Sequence, residues 1–138
     1  MKPIVLAAVI IITLALVFYS IATVAHQRSQ RITNAVALFL TLGVTFDVAA
    51  TLCMVVAAGY VKPTVHGALG ITALLGMLVE VALAWHHRLR FGADVPVSSG
   101  KRLYARIAYS YWVIAFLSGG TMVVMSRRAA RQAAQLLF

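Results

Sequence analysis

Four long apolar runs dominate the hydrophobic pattern of the chain, and short polar segments separate them. Each run contains at most one acidic or basic residue; the runs are 3–25, 35–61 with Asp47, 65–85 with Glu80, and 107–125. A helix of about 20 apolar residues crosses the roughly 30 Å hydrocarbon layer of a bilayer. Because backbone hydrogen bonds must be closed internally in lipid, the pattern predicts four transmembrane helices.

The spacing of the runs also predicts how the helices are arranged. The predicted helices cover about residues 3–25, 34–60, 65–87 and 104–126. Because short connections join antiparallel neighbours, we expect an all-α membrane protein with four transmembrane helices in an up-down-up-down bundle. Residues 1–138 then form a single domain, and residues 127–138 continue the last helix as a basic extension at the membrane interface.

Composition and charge agree with this fold class. The chain is 62% hydrophobic and 11% charged, with a mean hydropathy of +0.94, which excludes an ordinary soluble domain. Its formal net charge of +9 comes from 12 lysines and arginines against three acids. These basic residues flank the apolar runs, at the depth of lipid headgroups, so the bilayer rather than nucleic acid is the expected partner.

The distribution of the positive charges predicts the orientation of the helices. Seven basic residues lie in the first and third connections, namely Arg28, Arg31, Arg88, Arg90, Lys101, Arg102 and Arg106. The opposite side has five, namely Lys2, Lys62, Arg127, Arg128 and Arg131. Because the more positive loops stay in the cytoplasm, we expect a multi-pass protein of the inner (cytoplasmic) membrane with both termini outside.

Asp47 is the first candidate functional residue, because it lies near the middle of its apolar run. A charge at that depth costs roughly 2.5–3.5 kcal/mol on insertion scales, so the side chain should face the bundle interior. Gly43, Ala50 and Ala57 lie on the same helical face, where small residues let helices approach closely. Either a protonated Asp47 forms a structural hydrogen bond to a Thr or Tyr of another helix, or it handles a proton or ligand.

The third helix carries a polar stripe with helical spacing. Its members are His66, Gly70, Ala73, Met77, Glu80, Ala84 and His87. If the second and third helices are neighbours, Glu80 approaches Asp47, and two carboxyls that meet must share a proton or bind a cation. The favoured alternative is a Glu80–Arg106 pair, since Arg106 opens the fourth helix on the same side of the membrane. Tyr111 belongs to a mildly polar face of the fourth helix, together with Tyr104 and Ser118.

The histidines allow two interpretations. His26, His86 and His87 lie at one membrane surface and His66 at the other, which is ordinary for interfacial residues. However, the first and third helices of such a bundle are diagonal, so His26 and His87 can face each other as axial haem ligands. No metal-binding spacing, nucleophile–base arrangement or phosphate-binding loop is present, so we expect neither a metal site nor catalytic residues.

Four segments match the pattern of a known family; they are Ile11–Ser20, Phe46–Met54, Val65–Gly70 and Phe116–Gly119. Through them the chain resembles the HsmA-like family of small four-helix bacterial membrane proteins. The Phe-Asp and His-Gly pairs are the most specific parts, and the resemblance marks Asp47 and His66 as positions of interest. It implies no established activity.

The family pattern has a second histidine fourteen residues after the His-Gly pair and another at the start of the fourth helix. The resemblance therefore implies b-type haem ligation, with His66 as a ligand, since such a histidine pair on one helix is typical of cytochromes b. In this chain the second position is Glu80, and Tyr104 or Ala105 stands near the third.

The leading functional hypothesis is a non-enzymatic membrane protein with protonatable core residues. It would act in ion- or proton-coupled binding or transport, as a homo-oligomer or as a subunit of a larger membrane complex, because four helices rarely enclose a transport path. The first alternative is a b-type haem protein of membrane electron transfer. The second is an assembly or structural subunit that binds no ligand.

Overall fold

The computed structural model of the protein describes residues 3–59 and 64–137. These residues form four helices, α1 (Pro3–Ser29), α2 (Asn34–Ala58), α3 (Val65–Phe91) and α4 (Ser99–Leu137). Each helix is long and apolar enough to cross a membrane, and the described residues contain no strand. The predicted all-α four-helix bundle is therefore confirmed.

The helices differ from their predicted extents at their polar ends. The structure extends α1 and α3 beyond the predicted ends at 25 and 87, and it begins α4 at Ser99 instead of 104. The apolar run measures only the part of a helix within hydrocarbon, and these extra turns carry polar residues that suit the headgroup layer. Lys2 and Lys62, which were counted for the orientation, and Phe138, the last residue of the predicted interfacial extension, lie outside the described residues.

Local signals set the helix ends. The Thr33 and Thr64 hydroxyls accept hydrogen bonds from the backbone N–H groups of Val36 (3.3 Å) and Gly67 (3.0 Å), and so cap the N-termini of α2 and α3. Gly59 ends α2 with a positive φ of 79°, a conformation that glycine adopts without steric cost.

The four helices form a bundle in which sequence neighbours are neighbours in space. The most extensive packing joins α1 to α2, followed by α3 to α4, and narrower contacts join α2 to α3 and α1 to α4. Within the described residues, the backbones of α1 and α3 do not meet, nor do those of α2 and α4. These two pairs are therefore the diagonals of the bundle, and residues on α1 and α3 approach each other only through their side chains.

Small residues on each helix line the core. Alanine is the most frequent buried residue; examples are Ala8, Ala15 and Ala22 on α1, Ala73 and Ala84 on α3, and Ala105, Ala108 and Ala115 on α4. Larger side chains fill the space between them, with Tyr19 and Met77 fully buried. Phe18 also stacks on Phe39 and Phe46, with ring centroids 5.9 and 5.4 Å apart. Small residues let helix backbones approach closely, as helix packing in membranes requires.

The connection between α3 and α4 closes one end of the bundle. The backbone N–H of Val97 donates a 2.8 Å hydrogen bond to the Gln30 carbonyl in the connection between α1 and α2. The side chains of Val97 and Ile32, in these two connections, are both buried and line the same cavity. At the opposite end α4 continues past the other helices, and every residue from Val124 to Leu137 is exposed.

Gly43 gives the first test of this packing. A methyl group added there would lie 2.5 Å from Cδ1 of Tyr19, whereas one added at Gly70 of α3 would meet no atom within 4 Å. Because overpacking a core costs about 1–3 kcal/mol, we expect Gly43→Ala to lower the thermal unfolding temperature of the purified protein. The matched Gly70→Ala variant should unfold at the wild-type temperature or above it. Equal effects of the two substitutions would contradict the close approach of α1 and α2.

Candidate functional site

The first buried polar cluster joins three helices around Asp47. Oδ2 of Asp47 accepts a 3.1 Å hydrogen bond from the Tyr19 hydroxyl of α1 and a 2.7 Å bond from Nε1 of Trp112 on α4. Asp47 is only 4% exposed and faces the bundle interior, as its position in the apolar run indicates. Oδ2 of Asp47 on α2 is therefore hydrogen-bonded to both α1 and α4 inside the apolar part of the bundle.

Packing holds the two donors in place. The rings of Tyr19 and Trp112 meet edge to face with their centroids 4.8 Å apart, a favourable geometry for an aromatic pair. Phe116 stacks on Trp112 from the next turn of α4 at 5.7 Å. Gly43 gives the Tyr19 ring room to lie against α2. Since both bonds require a hydrogen-bond acceptor at Asp47 and its donors are fixed by packing, the cluster serves as a structural anchor.

The second buried cluster lies near the end of the bundle that the loops close. His26 of α1 and Glu80 of α3 face each other across the bundle diagonal, with His26 Nδ1 3.8 Å from Glu80 Oε1. His87 lies two helical turns after Glu80 on the same face of α3. All three side chains are buried, at 3% exposed for His26 and 4% for Glu80 and His87.

A small cavity is bordered by both histidines and by Glu80. Its volume is about 10 Å³, and it is lined by His26, Ile32, Glu80, Leu83, Ala84, His87, Val97 and Lys101. His26 Nε2 and His87 Nδ1 are buried, and neither has a hydrogen-bond partner among the described residues. The other ring nitrogen of His87, Nε2, lies 3.1 Å from the Val95 carbonyl oxygen. Because a carbonyl only accepts, Nε2 carries a hydrogen, and Nδ1 of the neutral ring is an acceptor.

The structure corrects the predicted partners of Glu80. The Glu80–Arg106 pair is wrong, because Arg106 lies on the exposed face of α4 and its Nη2 donates to Gln27 Oε1 at 3.4 Å. Its neighbour Ala105 takes the inward position, where a small side chain lets α4 approach the bundle. Asp47 and Glu80 belong to separate clusters, since α2 presents Asp47 to α1 and α4 rather than to α3.

The remaining predicted residues lie in ordinary interhelical contacts. His66 Nδ1 is 2.8 Å from the Ser118 hydroxyl, and the His66 ring packs on α4 where Gly119 has no side chain. The Tyr111 hydroxyl is 2.7 Å from the hydroxyl of Thr72 on the outer face of the bundle. Both contacts join α3 to α4, and neither borders the cavity between the imidazoles.

The histidines do not fit a haem. A porphyrin between His26 and His87 would need far more space than the roughly 10 Å³ between their rings. His66 is hydrogen-bonded to Ser118 at the other end of the bundle, so it does not pair with either of them. Among residues 3–59 and 64–137, no group of three or more His, Cys, Asp or Glu side chains is arranged to hold a metal ion.

Sequence reasoning missed several residues of the two clusters. Tyr19 and Trp112 carry a polar group within an apolar run, whereas such aromatic residues usually lie at the membrane interfaces. Their position was a usable signal, because a buried Tyr or Trp normally finds an acceptor. In contrast, Val95 and Val97 reach the second cluster through the folding of a loop, and nothing in their spacing indicates it.

Comparisons with known proteins add no relative: no family model, no curated protein and no solved structure matches the chain. The resemblance to the HsmA-like family therefore stays a prediction. The fold and the spans define the class of the protein, a small four-helix integral membrane protein with two buried polar clusters.

The anchor at Asp47 can be tested with matched tyrosines. Tyr19→Phe keeps the buried ring but removes a donor to a buried carboxyl, so we expect a loss of about 1–3 kcal/mol in the free energy of unfolding. Tyr111→Phe removes a hydroxyl bonded at the exposed face and should cost less than about 0.5 kcal/mol. Reversible unfolding in mixed micelles measures both losses.

An Asp47→Ala background provides the control for this comparison. If the Tyr19 hydroxyl acts through Asp47, Tyr19→Phe should have little effect once the acceptor is absent. An undiminished loss in that background would show that the hydroxyl stabilises the bundle by some other contact.

Proposed function

We propose that this small polytopic membrane protein binds and passes protons through the buried His26–Glu80–His87 cluster. It acts in ion- or proton-coupled binding or transport, as a homo-oligomer or as a subunit of a larger membrane complex. The observation that carries the proposal is the 3.8 Å approach of His26 Nδ1 to Glu80 Oε1 in a buried site on the bundle diagonal.

The chemistry of the cluster supports proton binding. Imidazole and carboxyl groups are the side chains that most often transfer protons in proteins, and here they face each other. Ionisable groups inside a membrane span are costly, and those that persist usually belong to ion or proton pathways. His26, Glu80 and His87 supply three such groups within a few helical turns, and all three lie away from lipid.

Asp47 has a different role in this proposal. Its Oδ2 already accepts hydrogen bonds from two packed aromatic residues, Tyr19 and Trp112. A group held this way stabilises the bundle, whereas among the described residues Glu80 has only a histidine at ion-pair distance. The resemblance to the HsmA-like family enters the proposal through Asp47, which would be the structural part of the family pattern.

Association is part of the proposal because the bundle core is packed. Buried alanines fill the part of the core between the two clusters, and Met77 is fully buried there. A proton that reaches Glu80 therefore needs a second copy or another subunit to cross the rest of the membrane. In the orientation predicted from the basic residues, the His26 end faces the cytoplasm. Protons would then enter from the cytoplasm, and Glu80 would be the end of their path within the membrane.

The alternative of a structural subunit without a ligand is favoured by one observation, the use of Asp47 as an anchor between helices. A haem protein is not favoured, because the space between His26 and His87 does not accommodate the group. The proton-binding function requires the carboxyl group of Glu80, whereas the structural function does not.

Proton flux in proteoliposomes tests the proposal. With a pH gradient across the vesicle, we expect the wild-type protein to dissipate it and Glu80→Gln to slow this at least tenfold. The matched control is Asp94→Asn, an acid-to-amide change at an exposed loop position. Equal rates for Glu80→Gln and wild type, or no flux above empty vesicles, would favour the structural alternative.

A further inference from the structure

We propose that one water molecule binds between His26 Nε2 and His87 Nδ1 and joins both imidazoles and Glu80 into a single proton relay. The role of this water rests on the proposed function, whereas its binding rests on the geometry of the cavity alone. It is a ligand site formed by α1, α3 and the two loops at the closed end of the bundle.

The two ring nitrogens provide the first argument. His26 Nε2 and His87 Nδ1 are buried without a protein partner, on side chains that are 3% and 4% exposed. Leaving a buried polar atom unsatisfied costs about 1–3 kcal/mol, and native proteins rarely do so. Both residues line the same cavity, and from this we infer that one molecule placed there satisfies both atoms.

The size of the cavity identifies that molecule. A water needs roughly 10–15 Å³ of accessible space and two or more polar partners. The cavity offers about 10 Å³ and two unpaired nitrogens, which suits one water and excludes larger ligands. Lys101 also lines the cavity, and its positive charge opposes a metal cation.

The donors and acceptors on the two imidazoles match a water between them. His87 Nε2–H donates to the Val95 carbonyl, so His87 Nδ1 accepts a hydrogen from the water. His26 Nε2–H in turn donates to the water oxygen, and His26 Nδ1 faces Glu80 Oε1. The water and the two imidazoles are thus matched as donors and acceptors, and Glu80 lies at ion-pair distance, 3.8 Å from His26 Nδ1.

A proton moves along this series without any other chemical change. When Glu80 closes its 3.8 Å distance to His26 Nδ1, it gives a proton to that atom while His26 Nε2 releases one to the water, and the water gives one of its own to His87 Nδ1. Only O–H and N–H bonds form and break, and no electrons are transferred. The net result is one proton moved between Glu80 and His87, about 10 Å along α3; for a proton that enters from the cytoplasmic end, the same steps run in reverse, from the loop that contains Val95 to Glu80.

Solid-state NMR of the full-length protein in bilayers, labelled with ¹⁵N-histidine, tests the water. We expect magnetisation from slowly exchanging water protons to reach His26 Nε2 and His87 Nδ1. Transfer to neither ring would overturn the inference. His86 is exposed and serves as the reference for bulk water.

A cavity-filling substitution gives the matched comparison. Ala84→Val adds two methyl groups to the cavity wall and should abolish both water transfers. Ala82→Val adds the same groups at an exposed position of α3 and should leave them unchanged. Persistence of both transfers in Ala84→Val would contradict the site. If Ala84→Val does not fold, His87→Phe keeps a ring but removes one of the two nitrogen partners, and an unchanged water signal at His26 would contradict it equally.

These results separate the two proposals. Water transfer to both rings without proton flux would leave the bound water standing and refute the proposed function. Flux that depends on Glu80 without water transfer would support the proposed function and refute the bridging water.

Discussion

The bundle depends on the hydrogen bonds that Asp47 accepts from Tyr19 and Trp112. A carboxyl group within an apolar span is tolerated only if it faces protein and has partners, and this requirement sets the rotation of α2. Because the donors come from α1 and α4, the rotations of those helices are set as well. The anchor therefore determines which faces of three helices meet lipid.

The anchor also explains how the second cluster is positioned. His26 lies seven residues after Tyr19, so two helical turns place both side chains on the same face of α1. With Tyr19 held at Asp47, α1 presents His26 to the diagonal helix α3, where Glu80 and His87 share one stripe. The contacts of Asp47 in the apolar part of the bundle thus orient the His26–Glu80–His87 cluster, the proposed proton-binding site, nearer its end.

The sequence predicts the parts of this structure that depend on hydrophobic pattern. The four apolar runs predict the four helices, and the spacing of Glu80 and His87 indicates that both lie on one inward face of α3. The partner of Glu80 could not be predicted, because Arg106 and Ala105 are adjacent and the rotation of α4 about its axis decides which one faces inward. The cavity also depends on Val97, which a loop brings to the helix ends.

In the proposed function, Asp47 has the structural role and Glu80 the proton-binding role. Infrared difference spectroscopy of the carboxyl C=O stretch, recorded on the protein in bilayers as the bulk pH changes, tests it most directly. We expect a pH-dependent carboxyl band that Glu80→Gln removes and Asp47→Asn leaves in place. A band that disappears with Asp47→Asn and survives Glu80→Gln would contradict it.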